Sequence, residues 1–131
     1  MLDLLRFSDC LIGKTTGGAI TNRYGYVWVS TPGFQDNAKE LQQINLESCF
    51  NPNSIERTFG IYFQSDLYLF TTCTDDTVIA ENLDHLICIS KCKNCFVFGF
   101  ANEDSLLKDC IEAVTGLADE LRNCDLDFFP K

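Results

Sequence analysis

From Phe59 to Phe100 the chain alternates strand-length apolar runs with turns too short to hold a helix. Phe59-Gly60-Ile61-Tyr62-Phe63 turns at Gln64-Ser65-Asp66 into Leu67–Thr72, and Asp75-Asp76 leads into Thr77–Glu81. Leu86–Lys91 and Cys95–Phe100 then form a hairpin around Lys93-Asn94. Strands joined this closely run antiparallel as neighbours, because a parallel return needs a dozen residues or more. The middle of the chain is therefore a β-meander, and whatever precedes and follows it must pack against one antiparallel sheet.

The flanking segments carry the helices. Leu2 to Ile12 has apolar spacing that suits a short amphipathic helix ended by Gly13. Two strands follow, at about 18–22 and 26–31, before Pro32-Gly33 breaks the pattern. Asp36 or Asn37 then caps a helix predicted through about Glu47, and Asn51-Pro52-Asn53-Ser54 is loop. Asn102 opens the last helix, with Glu103 and Asp104 in its first turn, where the macrodipole favours acids. Leu107, Cys110, Ile111, Val114, Leu117, Ala118 and Leu121 make one apolar stripe along it. The predicted fold is α+β in a single domain, 1–131. A central antiparallel sheet has the N- and C-terminal helices packed on one face and a short helix on the other.

Charge narrows the partners. The net charge of −9 argues against nucleic acid, whose phosphates must be neutralised by Lys and Arg, and against anionic lipid surfaces. Met1-Leu2-Asp3 carries an acid where a secretory leader would be basic, and no run reaches membrane-spanning length. The expectation is a cytoplasmic protein, not embedded in a membrane, with reduced cysteines. Its eight cysteines sit mostly inside apolar runs, such as Cys88 in Leu86-Ile87-Cys88-Ile89, where a free thiol acts as a small hydrophobe.

The segment Gly18–Phe34 holds the only tryptophan. It reads as a strand, a tight turn at Tyr24-Gly25, and a second strand on which Tyr26 and Trp28, two apart, share a face. Such a face is core or an aromatic platform, and a rigid platform suits a polyproline II ligand that has already lost its chain entropy.

Three motifs stand within this order: Phe7-Ser8-Asp9-Cys10-Leu11-Ile12-Gly13, then Gly25-Tyr26-Val27-Trp28-Val29 with Pro32-Gly33-Phe34, and Leu117-Ala118-Asp119-Glu120-Leu121. They resemble, in turn, the segment ending the first helix, the Trp strand and the end of the C-terminal helix of the profilin family, the small proteins that bind monomeric actin and polyproline. The Gly60 strand, the Asp75-Asp76 turn and the Lys91–Phe98 hairpin fall at matching intervals. The resemblance implies a divergent, non-enzymatic member, monomeric and cytoskeleton-associated, that regulates actin polymerisation.

It also implies two surfaces. The polyproline groove, formed in the family between the terminal helices and the Trp strand, maps onto Leu4, Phe7, Tyr26, Trp28, Glu120, Leu121, Leu126 and Phe128. Leu4 stands where the family has an N-terminal Trp, Glu120 where many members have His, and Leu126 where the last aromatic belongs. Phe128 or Phe129 is then left to fold back and supply the ring. Loss of one Trp platform costs on the order of 1–3 kcal/mol, so binding of proline-rich proteins such as formins is expected to be weakened or altered. The actin face maps onto Leu67, Thr72, Asn82, His85, Ser105, Leu106, Lys108, Ile111 and Glu112. Leu67, Thr72 and Glu112 replace expected basic residues, leaving Lys91, Lys93 and Lys108 nearby, so steering of an acidic partner is weaker. Phosphoinositide binding, a third family property, needs clustered basic residues that this chain lacks.

Other motifs carry less. His85-x-x-Cys88-x-x-x-Cys92-x-x-Cys95 offers four zinc-ligand types, but positions 85 and 88 point to opposite sides of a strand. Cys92 and Cys95 flank a two-residue turn as cross-strand neighbours, with Cβ atoms about 4.5–5.5 Å apart, enough for half a metal site or a regulatory disulfide. Inert thiols are the simplest reading, and no metal or cofactor is expected. His85 is the only histidine, so imidazole chemistry would rest on it alone. A scaffold of the roadblock or longin type, which dimerises to regulate small GTPases or vesicle traffic, has a similar run of elements and is the competing reading.

Overall fold

The structure, a computed structural model, describes residues 9–123. Seven strands form one antiparallel sheet: β1 (Gly17–Asn22), β2 (Val27–Ser30), β3 (Ile61–Phe63), β4 (Asp66–Cys73), β5 (Thr77–Asn82), β6 (His85–Lys91) and β7 (Cys95–Ala101). Their order across the sheet is β2-β1-β7-β6-β5-β4-β3, so the meander β3–β7 is joined to the N-terminal hairpin by the pairing of β1 with β7. Among the described residues three α-helices accompany it: α1 (Ala38–Gln43), α2 (Ile55–Phe59) and α3 (Leu107–Asn123). The α+β architecture is as expected from the sequence.

β7 shows how the sequence decides the two layers. Its residues alternate, with Cys95, Val97, Gly99 and Ala101 toward α3 and Phe96, Phe98 and Phe100 toward the opposite face. The small side lets the helix lie close to the sheet. A Cβ on Gly99 would sit 2.3 Å from Val114 Cγ2 and 3.1 Å from Cys110 Sγ, so glycine is required by the contact. α3 buries Cys110, Val114, Leu117, Ala118 and Leu121 there, at the i, i+3, i+4 spacing of a helical stripe. On the other face the phenylalanines stack with the segment 34–49. Phe63 lies 5.3 Å from the Phe98 ring and 5.0 Å from that of Phe100, in tilted and edge-on geometry.

Four local expectations need correction. The helix predicted to run through Glu47 stops at Gln43, and Ile44 is extended. Ile44 and Leu46 are buried nonetheless, Ile44 from extended backbone and Leu46 from the turn that follows, where Asn45 Oδ1 accepts from the Ser48 amide at 3.1 Å and opens a 3-10 turn. Phe59-Gly60 does not begin β3. Phe59 ends α2, a helix capped by Ser54 Oγ, which accepts from the Arg57 amide at 3.2 Å, and Gly60 turns the chain at φ 88°. Asn102 is not the first residue of the last helix, which enters through a 3-10 turn at Asp104–Leu106. Of the predicted N-terminal helix, residues 9–11 are turn, Ile12 makes an isolated bridge with Thr15, Gly13 follows with φ 79°, and Leu2–Ser8 lie outside the described residues.

Candidate functional site

α3 lies over the middle of the sheet, against β6 and β7, and leaves both ends of that sheet face uncovered by helix among the described residues. It therefore acts as a ridge between two flanks, one at β2 and one at β4–β3.

The β4–β3 flank is apolar. Glu81 pairs with Leu86, which belongs to the core beneath α3, so Glu81 is on the α3 side. Leu69 is opposite Glu81 and Thr72 opposite Ile79, which also packs on that core. Leu67, two residues before Leu69, shares its side, as does Tyr62, opposite Leu67. Tyr62, Leu67 and Leu69 are 67%, 36% and 52% exposed, an unusual density of apolar surface on one strand pair. Leu106 and Ile111, half-buried at the start of α3, form its near wall. Outside that wall, Lys108 Nζ stands 3.9 Å from Glu112 Oε1 one turn on, and Ser105 is exposed.

Seven of the nine positions assigned to the actin face thus fall on the α3 side: Leu67, Thr72, Ser105, Leu106, Lys108, Ile111 and Glu112. Asn82 and His85 do not. They oppose one another in the β5–β6 hairpin on the other face, where His85 Nδ1 is 3.4 Å from the Tyr68 hydroxyl and the imidazole meets Phe100 edge-on. Asn82 reaches the edge of the flank by another route, donating through Nδ2 to the Leu67 carbonyl at 2.8 Å. Tyr62, Leu69 and Glu81 complete the flank and were missed. The Leu67-Tyr68-Leu69 alternation held the signal, since residues two apart share a face.

At the opposite end, β2 carries a bulge. Ile20 pairs with Val29 and Thr21 with Val27, so Trp28 is an extra residue in its strand. The bulge turns Trp28 and Val29 to the same side, and both pack on the core beneath α3, Trp28 half-buried and Val29 buried. Tyr26 precedes the strand and is 54% exposed, so the period-two argument that paired it with Trp28 does not hold. Leu121 is buried in the same core and Glu120 is exposed on the helix above it. Leu4, Phe7, Leu126 and Phe128 lie outside the described residues.

Arg122 fixes this end of α3. Its Nε and Nη2 donate to the Lys91 carbonyl at 3.1 and 2.9 Å, and Nη1 pairs with Asp119 Oδ1 at 2.7 Å. Lys91 itself points to the other face, where it meets Glu47 Oε1 at 3.3 Å, so it adds no charge beside α3. The proposed zinc set is not assembled. His85 is on one face of β6 and Cys88 on the other, and no group of three ligand-type residues converges among the described residues. Burial pushes the Cys49 and Cys88 thiols up to about 12 and raises Cys110 as well.

The sequence model of the family described as Profilin matches residues 7–126. No curated protein sequence matches. Among solved structures, Acanthamoeba castellanii profilin IA superposes with a TM-score of 0.76 at 21% identity, over 92% of this chain and 97% of its own. LokiProfilin1, solved in complex with rabbit actin, gives 0.66 at 16% identity over 94% and 97%. Mouse profilin IIa, in complex with a double repeat from the FH1 domain of mDia1, gives 0.56 at 17% identity over 91% and 99%.

Proposed function

The chain belongs to the profilin family, and from that premise we propose that it binds monomeric actin and regulates actin polymerisation from the cytoplasm, without chemistry of its own. The observation that carries this reading is the exposed flank of Tyr62, Leu67 and Leu69 beside the first turns of α3. A surface of this kind is costly to leave in water unless a partner covers it. The actin complex of LokiProfilin1 supports the choice of partner. Lys108, Ile111 and Glu112 would border the contact from the helix, with Leu106 and Thr72 at its margins. The test is the spontaneous polymerisation of purified actin. Added protein should slow it in proportion to its concentration, and Lys108→Glu should weaken the effect. Unchanged polymerisation would remove the actin assignment.

Proline-rich ligands are a second reading, favoured by the bulge that sets Trp28 beside the end of α3. The FH1-repeat complex of mouse profilin IIa supports it, and formins are the corresponding partners. Trp28 would supply the platform and Glu120 the exposed helix edge, seated by the buried Leu121 beneath it, with Leu4, Phe7, Tyr26, Leu126 and Phe128 as further members. In a decaproline titration followed by NMR, the Trp28 indole resonance should move first. A titration that leaves it still would remove this ligand.

A further inference from the structure

We propose that Cys92 and Cys95 form a dithiol–disulfide couple, oxidised by hydroperoxides, at the turn of the β6–β7 hairpin. The geometry is that of a preassembled pair. Only Lys93 and Asn94 separate the two residues, and the Cys92 amide donates to the Cys95 carbonyl at 2.8 Å. The chain ends of a two-residue turn bring their Cα atoms within the span a disulfide bridges, without moving the backbone. Both side chains lie on the α3 side of the hairpin, as cross-strand neighbours in one core cluster. Neither is part of the surfaces described above.

The surroundings give the thiols different roles. Hydrogen bonding from Cys95 and the charge of Arg122 favour the Cys92 thiolate, against the opposing burial and the carboxylates of Asp119 and Asp76. Cys95 is held protonated by its bond to Cys92 and by burial. Cys92 is also the more accessible, 5% exposed against none for Cys95. Oxidation then proceeds in two steps. The Cys92 thiolate attacks a peroxide oxygen, the O–O bond breaks, and Cys92 becomes a sulfenic acid as hydroxide leaves. The Cys95 sulfur then attacks the Cys92 sulfur, the S–O bond breaks, and its proton leaves with the oxygen as water. Two thiols are oxidised and one peroxide is reduced. The protonated Cys92 thiol donates to the Ala118 carbonyl of α3 at 3.7 Å, a bond given up when the thiolate forms, and the couple thus sits under the helix end that borders Trp28.

The test uses the full chain, reduced, freed of reductant and exposed to graded hydrogen peroxide. It is then quenched with N-ethylmaleimide in denaturant and digested with trypsin, which cuts after Lys93 between the two cysteines. The expected product is the Cys92 and Cys95 peptides joined and 2 Da lighter, with Cys88 and Cys110 alkylated. In Cys95→Ala, dimedone should trap the sulfenic acid on Cys92, and in Cys92→Ala, Cys95 should resist peroxide. Joined peptides from other cysteines while Cys92 and Cys95 remain fully alkylated would overturn the proposal. So would a Cys95→Ala chain that gives no dimedone adduct at Cys92.

Discussion

Leu83 occupies the tip of the β5–β6 hairpin with φ 48° and is 95% exposed. A leucine gains nothing from that position. Its Cβ crowds the backbone in the left-handed region and its side chain meets only water. Asn tolerates this conformation, so Leu83→Asn should raise stability by about 0.5–1 kcal/mol, read as a higher denaturant midpoint with unchanged slope. A midpoint that falls would show that Leu83 makes a contact worth more than its strain. Trp28 teaches a related lesson about what a sequence shows. That it belonged on a β-strand was legible from its neighbours. Which residue shared its side was not, because one extra residue in a strand reverses the alternation and bulges leave no composition signal here.

Elements were legible where a single period ran long enough. The stripe of α3 and the strict small–large alternation of β7 were both readable, and together they fix the two-layer arrangement. Short elements were not. α2 has five residues, and its signals were a Ser cap and a glycine after the last turn, which were overshadowed by the apolar run beginning at Phe59. The premature end of α1 was hidden because Ile44 and Leu46 satisfy burial in either conformation. The contact of α3 with β7 is where element packing is least forgiving. Gly99→Ala should push the helix off the sheet and cost on the order of 1–3 kcal/mol, with Trp28 fluorescence altered as the helix end shifts. Stability within a few tenths of a kcal/mol of wild type would mean that the helix does not pack as closely as described.

At the scale of the whole molecule, buried thiols and surface charge set the response to conditions. Cys49 and Cys88 are raised from about 9 to about 12 by burial. Above pH 9 the unfolded chain releases those protons while the folded chain keeps them, so the unfolded state binds fewer protons and stability falls as pH rises. Between about pH 9 and 12 the loss should approach 1.4 kcal/mol per pH unit for each thiol. A thermal midpoint that stays flat from pH 8.5 to 11 would contradict this. The net charge of −9 shows beside α3 as well, where Glu81 lies on the flank and the exposed Lys108 is paired with Glu112, so the apolar contact carries the binding more than charge does. The candidate site was legible in part for this reason. Matching motifs located the helix and strands that hold it, whereas Tyr62 and Leu69 entered only through strand register.

The central claim is that actin binds this apolar flank, and calorimetric titration of purified monomeric actin with wild type and with Leu69→Ser tests it most directly. Saturable one-to-one binding, weakened roughly tenfold or more (about 1.4 kcal/mol) by Leu69→Ser at unchanged thermal stability, is the predicted result. Equal affinity in both proteins would place the partner elsewhere on the molecule, and absence of heat at roughly 50 μM would leave the fold without that partner.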